Sequence, residues 1–155
     1  MAMMDLQSMK ELPKEARHGT TTVGVVFDKG VVLAADKRAT YAGLFIASKN
    51  ADKIVPVGDR LAVTTAGASG DADLLARTLR AELEIYRYSN GYDLTVNGSA
   101  TLMSGLIQSG RFFLYPVGFL MAGFDSKPRL FSIDGAGGSQ EERFATEGSG
   151  MVVAV

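Results

Sequence analysis

Cysteine is absent from the 155 residues, which removes disulfides, thiol nucleophiles and thiolate metal sites together. A single histidine, His18, cannot build a histidine-based metal cluster and leaves little room for a serine–histidine triad. Tryptophan is missing too. Neither sign of charge prevails: 16 basic and 17 acidic residues leave a net charge of −1. No global field therefore draws the chain to nucleic acid or to an anionic membrane. The longest apolar run, Phe112 to Phe124, is interrupted by Pro116, Gly118 and Gly123. It falls short of the ~18 residues a spanning helix needs. The start of the chain lacks the compact apolar stretch of a secretion signal, so a cytoplasmic protein is expected. What remains is an ordinary globular balance, 46% apolar and 21% charged, in a length that suits one domain with a real core.

Residues 1–19 differ in texture from the rest of the chain. They hold four of the seven methionines, several charges and Pro13, fit no period, and read as a leader. Thr20 to Phe27 is rich in β-branched residues and reads as a strand. Asp28-Lys29-Gly30 is a turn, and Val31 to Asp36 a second strand. Both strands are apolar at nearly every position, so both of their faces are expected to be covered. A hairpin pivoting near Lys29 sets Asp36 opposite Thr22 and Arg38 opposite Thr20, which places all four on one face.

A loop is expected from Ala39 to Asn50, then strands over Lys53–Val57 and Arg60–Ala66. Gly67 to Asp71 ends the second of these and opens a helix, with Ala72, Leu75, Leu79, Leu83 and Tyr86 at helical spacing and Asn90-Gly91 as its stop. A second helix runs from Val96 to about Gly110, although glycines 98, 105 and 110 weaken it. Phe119–Phe124, Arg129–Ile133 and Arg143–Thr146 read as further strands, and Gly135 to Gly138 as a β-turn rather than a phosphate cradle. Segregated runs of strands and helices point to an α+β fold with helices packed on a sheet sandwich. The chain finishes on the uncharged, largely apolar run Gly148 to Val155, and a domain seldom ends that way. The domain over residues 20–155 is therefore expected to stop before it is complete.

The chemistry has one economical solution. If the bond between Gly19 and Thr20 is cut, Thr20 carries a hydroxyl and a free amine on the same residue. An α-amino group titrates at ~7.7–8.0, so it can take the hydroxyl proton without any histidine. Gly19, with no Cβ, permits the tight geometry in which the threonine attacks its own preceding carbonyl. Three threonines also open many ordinary strands, so spacing alone leaves both readings standing.

The ordered motifs add to this. Gly19-Thr20-Thr21-Thr22-Val23-Gly24, Val32 to Thr40, Lys49-Asn50-Ala51-Asp52-Lys53, Thr64 to Ala72, Phe131 to Ser139 and Glu147-Gly148-Ser149-Gly150 together resemble the β-subunit family of archaeal-type 20S proteasomes, from Gly19 to about Gly150. The resemblance implies the four-layer αββα sandwich of the N-terminal-nucleophile hydrolases, incomplete at its C-terminal side. It implies a threonine endopeptidase acting on unfolded proteins, with residues 1–19 removed by self-cleavage.

By the same resemblance Thr20 is the nucleophile and Gly19–Thr20 the processing site. Lys53 is the active-site lysine, whose ammonium favours the ionised hydroxyl. Asp36 is the acid that holds Lys53, and Gly67 supplies an oxyanion-hole N–H. Ser149 assists proton transfer at the threonine amine, and Arg38 has a supporting role. Each has a bland reading as well: a surface lysine, a strand-end carboxylate, a junction glycine, a flexible turn, a surface ion pair.

Ala39, Ala51, Val55, Thr65 and Ser69 match the specificity pocket. They are small and mostly uncharged, which implies cleavage after apolar or medium-sized residues. Thr40 and Gly67 align the substrate backbone as an added strand. No cofactor or metal is implied. The implied partners are identical β-subunits in a seven-membered ring, an α-subunit ring and an ATP-driven unfoldase. Two alternatives stay open: a ring subunit of structural role that lacks the rest of the domain, and a small amidase using the same threonine. His18 is given no catalytic role.

Overall fold

The computed structural model describes residues 20–41, 45–110 and 117–154. His18 and Gly19 lie outside them. The first hairpin comprises β1 (Thr22–Phe27) and β2 (Gly30–Ala35), closed by the two-residue turn Asp28-Lys29. Its register pairs Thr22 with Ala35 and Phe27 with Gly30. That is one residue away from the register expected from the sequence, because a two-residue turn closes the hairpin instead of a pivot on Lys29. Asp36 consequently falls opposite Thr21, whose carbonyl accepts its N–H at 3.1 Å. Both Asp36 and Arg38 lie past the end of β2, where strand alternation no longer dictates where a side chain points.

β3 (Ala39–Tyr41) and β4 (Phe45–Ser48) form a short two-stranded ladder inside the segment expected to be a loop. The main sheet contains β5 (Ile54–Gly58), β6 (Leu61–Thr64), β8 (Val117–Phe124), β9 (Pro128–Ile133) and β10 (Ser139–Glu142), in the spatial order β10-β9-β8-β6-β5. The strand expected over Arg60–Ala66 is interrupted at Thr65, whose N–H donates to the Lys53 carbonyl at 2.9 Å. Beyond the break, β7 (Ala66–Gly67) pairs with the start of β8. β11 (Phe144–Glu147) joins the free edge of β1, Thr22 opposite Glu147, giving a second, three-stranded sheet in the order β11-β1-β2.

The long helix α1 (Ser69–Asn90) ends where Gly91 adopts φ +81°, a conformation that favours glycine. Helix α2 (Val96–Ser109) forms despite Gly98 and Gly105, because its start is held from two sides. Thr95 Oγ1 accepts from Gly98 N at 3.1 Å, and Asp125 Oδ2 accepts from Val96 N at 3.0 Å. Met103, Ala100 and Ile107 are then buried, which outweighs the propensity cost of two glycines. A short turn of helix, α3 (Met151–Ala154), closes the described chain.

β8 explains the core. Phe119 and Met121 pack with Leu75, Leu79, Met103 and Ile107 of the helices, while Leu120 and Ala122 pack with Leu130, Ala145, Val26, Val31 and Leu33. Alternation thus divides one strand between two clusters, and β8 is buried on both faces. The same expectation fails for β1 and β2. Their inner residues join the second cluster, but Val25, Phe27 and Val32 are exposed, and among the described residues nothing covers them. The result is α+β, two antiparallel sheets with helices. No described helix is long and apolar enough to cross a membrane.

Candidate active site

Thr20 sits two residues before β1, and two segments distant from it in sequence meet on it. Lys53, immediately before β5, donates from Nζ to Thr20 Oγ1 at 3.1 Å. Ser149 Oγ accepts from the Thr20 backbone nitrogen at 3.3 Å, and Gly150 N donates to the Thr20 carbonyl at 3.1 Å. The pairing of Thr22 with Glu147 sets this up, because the same register continued by two residues brings Ser149 opposite Thr20. The glycines around Ser149 are needed there. Gly148 has φ +92°, and a Cβ on it would run into the Thr20 carbonyl oxygen, while a Cβ on Gly150 would run into Thr21 Oγ1. The Gly-Ser-Gly segment is fixed against the threonine rather than a free turn.

Lys53 is 8% exposed, and its ammonium is held by both carboxylate oxygens of Asp36 at 3.0 Å. Asp36 accepts in addition from Thr21 N at 2.7 Å and from Arg38 N at 2.9 Å. Burial opposes its charge, but the Thr21 N–H, the Lys53 ammonium and the Arg38 N–H together outweigh burial. Its carboxyl is held below the ordinary carboxylate range. Sequence reasoning placed Asp36 beside Thr20 through a hairpin register that is not the real one. The two are joined instead through Lys53, with Thr21 fixing the carboxylate.

Beneath Thr20 lies a chain of buried hydroxyls. Thr64 Oγ1 donates to Thr22 Oγ1, which donates to the Glu147 carbonyl, and Leu120 N donates to Thr64 Oγ1. These bonds tie β8 and β6 of one sheet to β1 and β11 of the other.

Above Thr20 opens a cleft of about 800 Å³. Ala39, Ala51, Val55, Thr65, Gly67 and Ser69, expected to contact substrate, all line it, together with Arg38. Thr40 lies in β3. Gly67 adopts φ +99° at the exposed lip, two residues before α1. Ala68, the residue that caps α1, offers no side-chain hydrogen bond, so that helix start faces the cleft without a side-chain cap.

The lining is more charged than the sequence suggested, because Asp52, Asp73 and Glu147 also contribute. Asp52 pairs with Lys37 at 3.3 Å and Asp73 with Arg77 at 2.6 Å. Glu147 is half-buried. Burial raises its carboxyl above the ordinary range, the Gly148 N–H opposes that, and the Asp134 charge adds to it. Opposite it stands Gly118, where a Cβ would collide with the Glu147 carboxyl. Alternation from buried Ala145 was the available signal, since it turns Glu147 inward on the same face. Among the described residues no group of three or more acidic, histidine or cysteine side chains could hold a metal ion.

The arrangement provides a hydroxyl beside a fixed cation, a nitrogen on the same residue beside a serine, and an open cleft next to both. A family model described as "Proteasome subunit" matches residues 16–155. Proteasome subunit beta 1 of Thermococcus gammatolerans is 49% identical over 140 residues, covering 90% of this chain and 69% of that protein. Proteasome subunit beta 2 of Ignicoccus hospitalis is 47% identical over 148 residues, 96% of this chain and 69% of that protein. Proteasome subunit beta of Picrophilus torridus is 42% identical over 132 residues, 85% and 62% respectively. The chain spans about two-thirds of the length of these relatives.

Proposed function

We propose, for a chain that belongs to the archaeal-type proteasome β-subunit family, that it is a threonine endopeptidase whose nucleophile is Thr20. The observation that carries this reading is the 3.1 Å contact between Lys53 Nζ and Thr20 Oγ1, with Asp36 bracing the ammonium. While Gly19 precedes it, the Thr20 nitrogen is a peptide amide and no base. Activity therefore begins with self-cleavage: Thr20 Oγ attacks the Gly19 carbonyl, the C–N bond gives way to an ester, and water hydrolyses that ester. Residues 1–19 are released and a free amine remains.

In turnover the amine takes the proton of Thr20 Oγ as the oxygen attacks the substrate carbonyl. The Lys53 cation stabilises the charge on that oxygen, and Gly67 N–H serves the carbonyl oxygen as it becomes negative. The proton passes to the leaving nitrogen, assisted by Ser149. An ester on Thr20 remains and is hydrolysed with the same amine as base. Substrate lies as an added strand along Thr40 and Gly67. The small, neutral lining by Ala39, Ala51, Val55, Thr65 and Ser69 suits an apolar or medium-sized residue before the cut bond.

The wider reading is a seven-membered β-ring stacked on α-subunits in the 20S core particle of the cytoplasm, fed with unfolded polypeptide by an ATP-driven unfoldase. Its fold would be the αββα sandwich, into which the apolar outer face of β1 and β2 fits as a surface to be covered. The test is mass spectrometry after mixing with α-subunits. A new N-terminus at Thr20, labelled by a peptide boronate or epoxyketone, is the expected result. An intact leader with no label would leave a structural ring subunit as the better account.

A further inference from the structure

Three carboxylates line the cleft, and two of them already have a cation: Asp52 has Lys37 and Asp73 has Arg77. Both of these pairs are solvent-exposed. Glu147 differs on each count, for it is the least exposed of the three and no cation pairs with it among the described residues. A carboxylate taken partly out of water without a counter-charge is costly, and such a group is completed either by a proton or by an arriving cation. Room has been made for it. Gly118 at the start of β8 has no Cβ, and any Cβ there would occupy the space of the Glu147 carboxyl.

The two sides of Thr20 determine which part of a bound chain would meet Glu147. The hydroxyl faces Lys53, whereas the nitrogen faces Ser149, two residues beyond Glu147. The nitrogen is the group that delivers a proton to the departing amine, so the departing fragment leaves on the Ser149 side. We propose that Glu147 is a specificity-determining residue that receives the side chain of a lysine or arginine located just after the cleaved bond. This rests on the peptidase reading above. It adds a cationic preference on the departing side to the neutral preference on the other.

The experiment uses assembled, processed enzyme and quenched peptides of one sequence, with Lys, Arg or Gln at the first or second position after the cut bond, or before it. Cleavage of the Gln peptides tests the peptidase reading by itself. The specificity proposal is read only from ratios of kcat/KM. At low salt the Lys and Arg peptides should exceed the Gln peptide by about tenfold, and the ratio should shrink as salt rises. In Glu147→Gln the ratio should fall to about one, and Glu147→Asp should recover part of it. Equal ratios in the unaltered enzyme, a basic preference confined to positions before the bond, or a preference that survives in Glu147→Gln would each overturn the proposal. Because the first of these needs no variant, a misfolded Glu147→Gln does not protect the idea.

Discussion

Thr64 Oγ1 donates to Thr22 Oγ1 at 3.2 Å, and neither residue has any measurable exposure. The bond crosses from β6 to β1, two residues along the chain from Thr20, and Leu120 N uses the same Thr64 oxygen as its acceptor. Thr64→Val keeps the shape but strands the buried Leu120 N–H and leaves the Thr22 hydroxyl with the Glu147 carbonyl alone. It should cost about 1–3 kcal/mol, with Thr64→Ser recovering most of the loss. Urea denaturation of the three proteins checks this, and equal midpoints would rule out any structural role for the bond.

Removing the hydroxyl of Thr20, the nucleophile proposed above, separates fold from chemistry. Thr20→Val should retain residues 1–19, detected by intact mass, and lower peptide cleavage by about 1,000-fold or more. Thr20→Ser keeps the hydroxyl and should process. Circular dichroism should be unchanged in both variants.

Lys53→Ala removes the cation from Thr20 Oγ1 and strands the Asp36 carboxylate. Asp36 is about one-third exposed, so the stability loss should be nearer 2 kcal/mol than the larger cost of a fully buried pair. Activity should fall by at least about 100-fold. The double variant Lys53→Ala with Asp36→Asn should recover stability but not activity, a split that a purely structural pair would not give.

Acid should act on two carboxyls with opposite signs. Asp36 has a lowered pKa, so its contribution is present above the unfolded value of 3.8 and is lost as pH falls through the folded value. Glu147 has a raised pKa, so the fold is relieved of its charge as pH falls through a value above 4.5. Glu147→Gln should therefore abolish a gain in stability seen on acidification toward pH 4.5, and Asp36→Asn should flatten the loss below it. Denaturation midpoints across pH 3–7 decide both; a Glu147→Gln curve parallel to the unaltered one would show that Glu147 has no such effect.

Asp125 provides a control away from the cleft. Burial opposes its charge, but the N–H groups of Val96, Ser126 and Lys127 and the Arg129 guanidinium hold its pKa at about 2. A shift from 3.8 corresponds to about 2 kcal/mol, available above pH 4 and lost as pH falls through 2. Asp125→Ala should cost about that much at pH 7 and should leave peptide cleavage within about twofold.

The main elements were legible because local signals and burial agreed in them. Helix α1 combined an apolar stripe with Gly91, and β8 and β9 were apolar runs between turn residues. β10 was not legible, since Ser-Gln-Glu-Glu carries no apolar residue and is held by backbone pairing with β9 and by the ion pair of Glu141 with Arg129. Thr65 gave no local sign of the break between β6 and β7. Of the site, Thr20, Lys53, Asp36 and Ser149 were anticipated, and the structure brings them together. The pocket's charge was underestimated, because Asp52 and Asp73 arrive from neighbouring elements and Glu147 from a distant strand. The hairpin register was missed because Asp28-Lys29-Gly30 supports two- and three-residue turns alike.

One edge of β1 is occupied by β2 within a few residues of chain, but the other waits for β11, and Ser149 lies 129 positions from the residue it touches. A growing polypeptide on the ribosome therefore presents Thr20 well before the serine that the threonine nitrogen meets. Until residue 149 has emerged, the threonine lacks one wall of its surroundings, so translation itself sets the earliest moment at which this site can be assembled.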